Sequence, residues 1–169
     1  MLAPFPRTIL VTEGAVREAG GVERALPSDA PAIAALVRPH ARAGLMLPRS
    51  EADILERIDT FLIIRDARGI VACGALRPLS DALAEVSTLA VRKGAGGSGL
   101  GGRVLDALLD RARLGEVPEL CVLTRTPGFF RNRGFRTVPR SRFPEKEAAD
   151  CRDCPLRDAC PETAMVLHP

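Results

Sequence analysis

One stretch constrains the fold of this chain more than any other. Residues 88–113 read TLAVRKGAGGSGLGGRVLDALLDRAR, an apolar run followed by a glycine-dense turn and then an amphipathic segment. Five glycines fall within the eight residues 94–101. Leu100, Val104, Leu105, Leu108 and Leu109 recur at helical spacing. The order strand, glycine turn, helix fixes a helix N-terminus at the end of a strand. Glycines let backbone N–H groups come close to an anion, and the helix start adds unsatisfied donors and the positive end of its dipole. Arg92 and Lys93 add charge nearby. The pattern predicts a phosphate cradle; a plain strand-to-helix connector is the alternative reading.

The pattern G-x-G-x-x-G occurs twice, at Gly94–Gly99 and Gly97–Gly102. A dinucleotide-binding unit would also need a following strand that ends in Asp or Glu. The next strand here ends Leu-Thr-Arg-Thr, and antiparallel hairpins precede the turn. A P-loop needs Gly-Lys-Ser/Thr, which is absent. The sequence therefore points to a third way of holding phosphates.

The 169 residues suit one domain, expected over 21–169, with 1–20 as a loosely attached arm. Hydrophobic content of 46% and charged content of 27% read as a soluble globular chain. A net charge of +3 argues against a nucleic-acid binder. No apolar run approaches the ~18 residues of a membrane span, and no secretory signal pattern opens the chain. A cytoplasmic setting follows as the default, with the five cysteines as thiols or metal ligands. Strands are expected at 22–26, 61–66, 69–79, 82–91, 119–126 and at the final TAMVLHP. Helices are expected after Ser28 or Asp29, after Ser50 with Asp53 at N3, after Gly99, and over PGFFRNRGF. The order is β-α-α-β-β-β-α-β-α-β, a mixed-sheet α/β fold.

The Leu89-Ala90-Val91 strand end followed by Gly99-Leu100-Gly101 resembles the acetyl-CoA loop of the GNAT acetyltransferase superfamily, (Gln/Arg)-x-x-Gly-x-(Gly/Ala). The resemblance covers roughly Val22 to Leu167 and implies the GNAT acyl-CoA N-acyltransferase fold. Gly96 stands where the family usually has Arg or Gln, so backbone amides would replace a side-chain donor. The runs GLMLPRSEADILERIDTFLIIRD, ACGALRPLSDALAEVSTLAV and ELCVLTRTPGFFRNRGF further resemble the acetyltransferase domain of N-acetylglutamate synthase, in its short, stand-alone type. That resemblance implies acetyl transfer from acetyl-CoA to the α-amino group of L-glutamate, the entry step of arginine biosynthesis. A GNAT enzyme for another small amine, and a non-catalytic acyl-CoA sensor, are the alternatives. A homodimer is possible; nucleic acid and membrane partners are not expected.

The resemblance also implies site residues. Glu85 matches the position of a general base acting through water, with Ser87 on the same face at period two. A cross-strand surface pair is the alternative role for Glu85. Leu89, Ala90, Val91, Gly96, Gly97, Ser98, Gly99, Leu100 and Gly101 would hold the cofactor through backbone amides. The cofactor would lie in a splay between the strand ending at Val91 and the next. Phe130 occupies the place where the family often has a thiolate-protonating Tyr, and this chain has no Tyr. A dicarboxylate acceptor needs fixed cations, for which arginine forks are suited. Arg24, Arg49 and Arg125 are the candidates. Cys151, Cys154 and Cys160 include a Cys-x2-Cys spacing compatible with structural zinc or an iron–sulfur centre, with His168 or Cys121 as a fourth ligand. A free-thiol loop is the alternative. Cys73 reads as a buried small hydrophobe and His40 as a surface residue.

Overall fold

The computed structural model describes Arg17–Glu18 and residues 21–169; the rest of the expected arm at 1–20 lies outside the described residues. The strands are β1 (Arg17–Glu18), β2 (Val22–Arg24), β3 (Phe61–Asp66), β4 (Gly69–Pro78), β5 (Leu83–Val91), β6 (Glu119–Thr124), β7 (Arg136–Thr137) and β8 (Thr163–Leu167). The helices are α1 (Ala30–Arg42), α2 (Glu51–Glu56), α3 (Leu100–Leu114), α4 (Pro127–Arg131) and α5 (Pro144–Lys146). The expected element order is present. Its additions are the two-residue strands β1 and β7, and α5 with the π-helical turn Glu147–Cys151 behind it.

One sheet holds the strands in the order β1-β2-β3-β4-β5-β6-β8-β7. Neighbours are antiparallel except β5 and β6, which run parallel and therefore need the α3 crossover. Both faces of the sheet are covered, so β3 and β4 read as nearly continuous apolar runs rather than alternating ones. On one face Leu62, Ile64 and Val71 pack with Val104, Leu105 and Leu108 of α3. On the other, Phe61, Ile63 and Cys73 pack with Ile33 and Val37 of α1 and Ile54 of α2.

Local chemistry sets the ends of the elements. The Ser50 side chain accepts from the Asp53 amide and Asp53 accepts from the Ser50 amide, the expected capping box of α2. Asp29 precedes α1, but its carboxylate accepts instead from the Leu26 amide and from Arg65. Gly44 ends the α1 segment at φ +68°, a conformation that a side chain would strain.

Two irregularities shape the centre of the sheet. Cys73 pairs with Ala90 and Ala75 with Ser87, so Thr88 and Leu89 together oppose Gly74 in a bulge. Thr88 takes φ +53° there. A Cβ at Gly74 would lie 2.8 Å from Val104 Cγ1 and 3.0 Å from both Leu108 and Leu89, so only glycine lets α3 sit this close. The parallel ladder between β5 and β6 covers only Leu83, Ala84 and Glu85, facing Glu119, Leu120 and Cys121. Beyond Glu85 the two strands part.

Candidate active site

A cleft of about 330 Å³ opens where β5 and β6 separate. Glu85 to Leu89 and Val91 form one wall; Val122 to Thr126, Phe129 and Phe130 form the other. This is the splay expected from the sequence. Gly101, in the first turn of α3, also lines it, which brings that helix start to the cleft. Residues 96–100 lie outside the cleft wall, in the turn leading to α3. Gly94, Gly97 and Gly99 all adopt positive φ, and Ser98 Oγ donates to the Ala95 carbonyl. The loop therefore uses its glycines to turn the backbone, leaving the first amides of α3 for an anion. Of the strand residues expected to hold the cofactor, Leu89 and Val91 line the cleft. Ala90 faces the opposite side of the sheet and packs with the α1 core.

Glu85 sits at the point where the strands part, with only 5% of its side chain exposed. Its Oε1 lies 2.5 Å from Lys146 Nζ. Its Oε2 is 3.5 Å from Arg77 Nη1 and has no hydrogen-bond partner among the described residues. Lys146 also donates to Asp150 Oδ2 at 2.6 Å. Asp150 further accepts from Arg77 at 2.6 Å and from Arg49 at 3.4 Å. Five charged side chains from the α1–α2 loop, β4, β5, α5 and the π turn thus converge. Burial alone would push the Asp150 carboxyl up, but Lys146, Arg49 and Arg77 hold it well below the usual carboxylate range. Burial would push the Lys146 ammonium down, and the Glu85 and Asp150 charges outweigh it and raise it. Arg57 is pushed down, first by burial and then by the like charges of Arg77 and Arg49. Glu162 reaches the same cleft; burial pushes it up, against the opposing pull of Lys146.

The structure brings Glu85, Ser87, Arg49 and Arg125 to one cleft. Arg125 donates through Nη1 to the Gly44 carbonyl at 2.8 Å, tying the α1–α2 loop across the end of β6. A groove of about 510 Å³ continues from the cleft between that loop and residues 148–162, sharing Arg49, Arg125 and Glu162 with it. Arg24 is not part of this assembly. It lies on β2, three strands from β5 in the sheet, and does not line the cleft. His40 is half-buried rather than on the surface: it lines the cleft, and its Nε2 donates to the Val91 carbonyl at 2.9 Å.

The cysteine expectation needs correction. Among the described residues no three His, Cys, Asp or Glu side chains come close enough to hold a metal ion. Cys151 is buried, whereas Cys154 and Cys160 line the groove. Cys121 lies in the core with Leu83 and Phe143, and His168 contacts the Pro118 carbonyl near the start of β6. Cys151 ends the π turn and Cys154 follows the turn after it. Cys73 is buried as expected, its thiol pushed up to about 12 by desolvation.

Lys146, Arg77 and Asp150 were not legible as site residues. One signal was present: Lys146 and Asp150 are four apart, the spacing of neighbours on a helix, in a segment read as a loop.

Residues 57–137 match the model of the acetyltransferase (GNAT) domain. An uncharacterized N-acetyltransferase of Chlorobaculum tepidum is 35% identical over 147 residues, covering 86% of this chain and 94% of that protein. The chain belongs to the GNAT family of N-acetyltransferases. The amino-acid acetyltransferase of Neisseria meningitidis is 33% identical over 88% of this chain, which spans only 34% of that longer protein. The N-acetylglutamate synthase of Neisseria gonorrhoeae, crystallised with coenzyme A and N-acetyl-glutamate, superposes on 87% of this chain with a TM-score of 0.77 and 30% identity; 34% of that chain is covered. Among the described residues no helix is long and apolar enough to cross a membrane.

Proposed function

We propose that this enzyme transfers the acetyl group of acetyl-CoA to the α-amino group of L-glutamate, the entry step of arginine biosynthesis. The observation that carries the reading is the charge cluster at the end of the cleft. Arg49, Arg77 and Lys146 face Glu85 and Asp150, leaving one positive charge over beside a carboxylate oxygen that no donor occupies. The excess cation suits an anionic acceptor, and the Glu85 carboxylate, on a residue that lines the cleft, suits its ammonium group. The likeness to the gonococcal synthase supports the same acceptor.

Each group then has a task. The α3 amides and the glycine turn receive the pyrophosphate of coenzyme A, whose thioester supplies the acetyl group. Backbone amides near Leu89 and Val91 polarise the carbonyl. Glu85 takes the ammonium proton directly or through a water oriented by Ser87, since only the free amine attacks. Arg49 and the remaining N–H groups of Arg125 receive carboxylate. With no Tyr in the chain, the departing thiolate takes its proton from solvent or from Ser87.

A second acceptor class, another small amine with fewer carboxylates, is favoured by one feature. Glu162 faces the same cleft and would repel a second carboxylate when ionised. Coenzyme A release measured over a panel of amino acids and simple amines separates the readings. Release that depends on glutamate supports the first. Release with a different amine alone transfers the assignment to the second, and no release with any acceptor overturns both.

A further inference from the structure

We propose that Lys146 is a positioning residue for acetyl transfer: its ammonium holds one oxygen of Glu85 and so fixes the carboxylate at the point where β5 and β6 part. The inference rests on the reading of Glu85 as the proton acceptor. Four observations carry it. Lys146 is itself buried, 6% exposed, and lines the cleft. It bonds Glu85 at Oε1 alone, at 2.5 Å. Glu85 Oε2 stays without a hydrogen-bond partner among the described residues, although Arg77 is only 3.5 Å away. Lys146 is in turn fixed by Asp150, which also binds Arg49 and Arg77 and so locks α5 to β4 and to the α1–α2 loop. A pair serving stability alone would be expected to satisfy both carboxylate oxygens, because a buried unpaired acceptor is costly. This arrangement satisfies one oxygen and leaves the other, buried beside Arg77, as an acceptor that the fold itself does not use.

Lys146 is the nearest charged partner of Glu85. The other groups facing Glu85 and Lys146 are Arg77 on β4, Cys121 on β6, Cys151 on the π turn, Asp150 and Glu162. Arg77 lies farther from Glu85 than Lys146 does, 3.5 Å against 2.5 Å. Burial pushes both thiols up, so they stay neutral near pH 7 and supply no field of their own. Burial also pushes Glu162 up. Removing the Lys146 charge therefore takes away the cation nearest to the Glu85 carboxylate.

The test compares Lys146→Met, Lys146→Arg, Glu85→Gln and the double variant E85Q/K146M, each checked for folding by its melting curve. For Lys146→Met the expected result is a kcat reduced about tenfold or more, an acetyl-CoA KM within about twofold of the parent, and an acid limb of kcat/KM moved up by roughly one pH unit. Lys146→Arg should recover most of the kcat. If the single Met variant fails to fold, the double variant decides. A kcat equal to that of Glu85→Gln alone supports action through Glu85, and a further loss of about tenfold overturns it. A folded Lys146→Met enzyme with the parental acid limb overturns the inference while leaving Glu85 in its role. Full activity in Glu85→Gln removes the role of Glu85, and the inference with it.

Discussion

His40 and Val91, 51 residues apart, are joined by a hydrogen bond of 2.9 Å from the imidazole Nε2 to the backbone carbonyl. The carbonyl belongs to the last residue of β5, where the strand gives way to the glycine turn. The bond therefore ties the end of α1 to the start of the glycine turn. His40→Ala should cost about 1 kcal/mol, a melting temperature lower by roughly 2–4 °C. An unchanged melting curve would show that the bond contributes nothing.

Arg125 spends one N–H on the Gly44 carbonyl and keeps the rest at the cleft. Arg125→Ala should raise the acceptor KM about tenfold or more while the acetyl-CoA KM stays put, because the proposed role of its guanidinium is to receive the acceptor carboxylate. Equal changes in both constants would remove Arg125 from acceptor binding.

Gly74→Ala places a methyl group 2.8 Å from Val104 and 3.0 Å from Leu108 and Leu89. These are core side chains in a packed sheet–helix contact, so relief requires α3 to move. The expected destabilisation is about 1–3 kcal/mol, read from chemical denaturation. Full parental stability would show that the helix yields freely at this point.

Asp150 gives the fold a pH dependence of known sign. Its folded pKa is depressed, so its contribution is present above the unfolded value of about 4 and is lost as pH falls toward the folded one. Asp150→Asn should lower the melting temperature at pH 7 and flatten its decline between roughly pH 5 and pH 3. Parallel melting profiles for parent and variant across that range would contradict the assignment. Lys146, whose pKa is raised, acts at the other extreme. Its contribution holds below about pH 10 and fades only as pH rises through its folded value.

The sequence was most legible where one period ruled a segment. The β3–β4 hairpin, the α2 capping box and the α3 stripe all follow from spacing or local chemistry, and all lie where expected. Glu85 and Ser87 could be placed together because period two is a local rule. Arg24 could not be placed, since which strand neighbours which is decided by long-range pairing. For the same reason Arg77, Asp150 and Lys146 stayed hidden. Their partners lie as far as 101 residues away, and their helical spacing was masked by three cysteines that drew a metal reading. His40 was missed because a histidine near a helix end carries no mark of the strand end that its ring will meet.

The last strand has a consequence for the charge cluster. β8 lies between β6 and β7, so β7 has no neighbour in the sheet until Thr163–Leu167 is in place. Lys146 and Asp150 are strung between those two strands. Seating Thr163–Leu167 between β6 and β7 closes the segment that carries Lys146 and Asp150, so the charge cluster beside Glu85 depends on a strand pairing that lies beyond it in the chain.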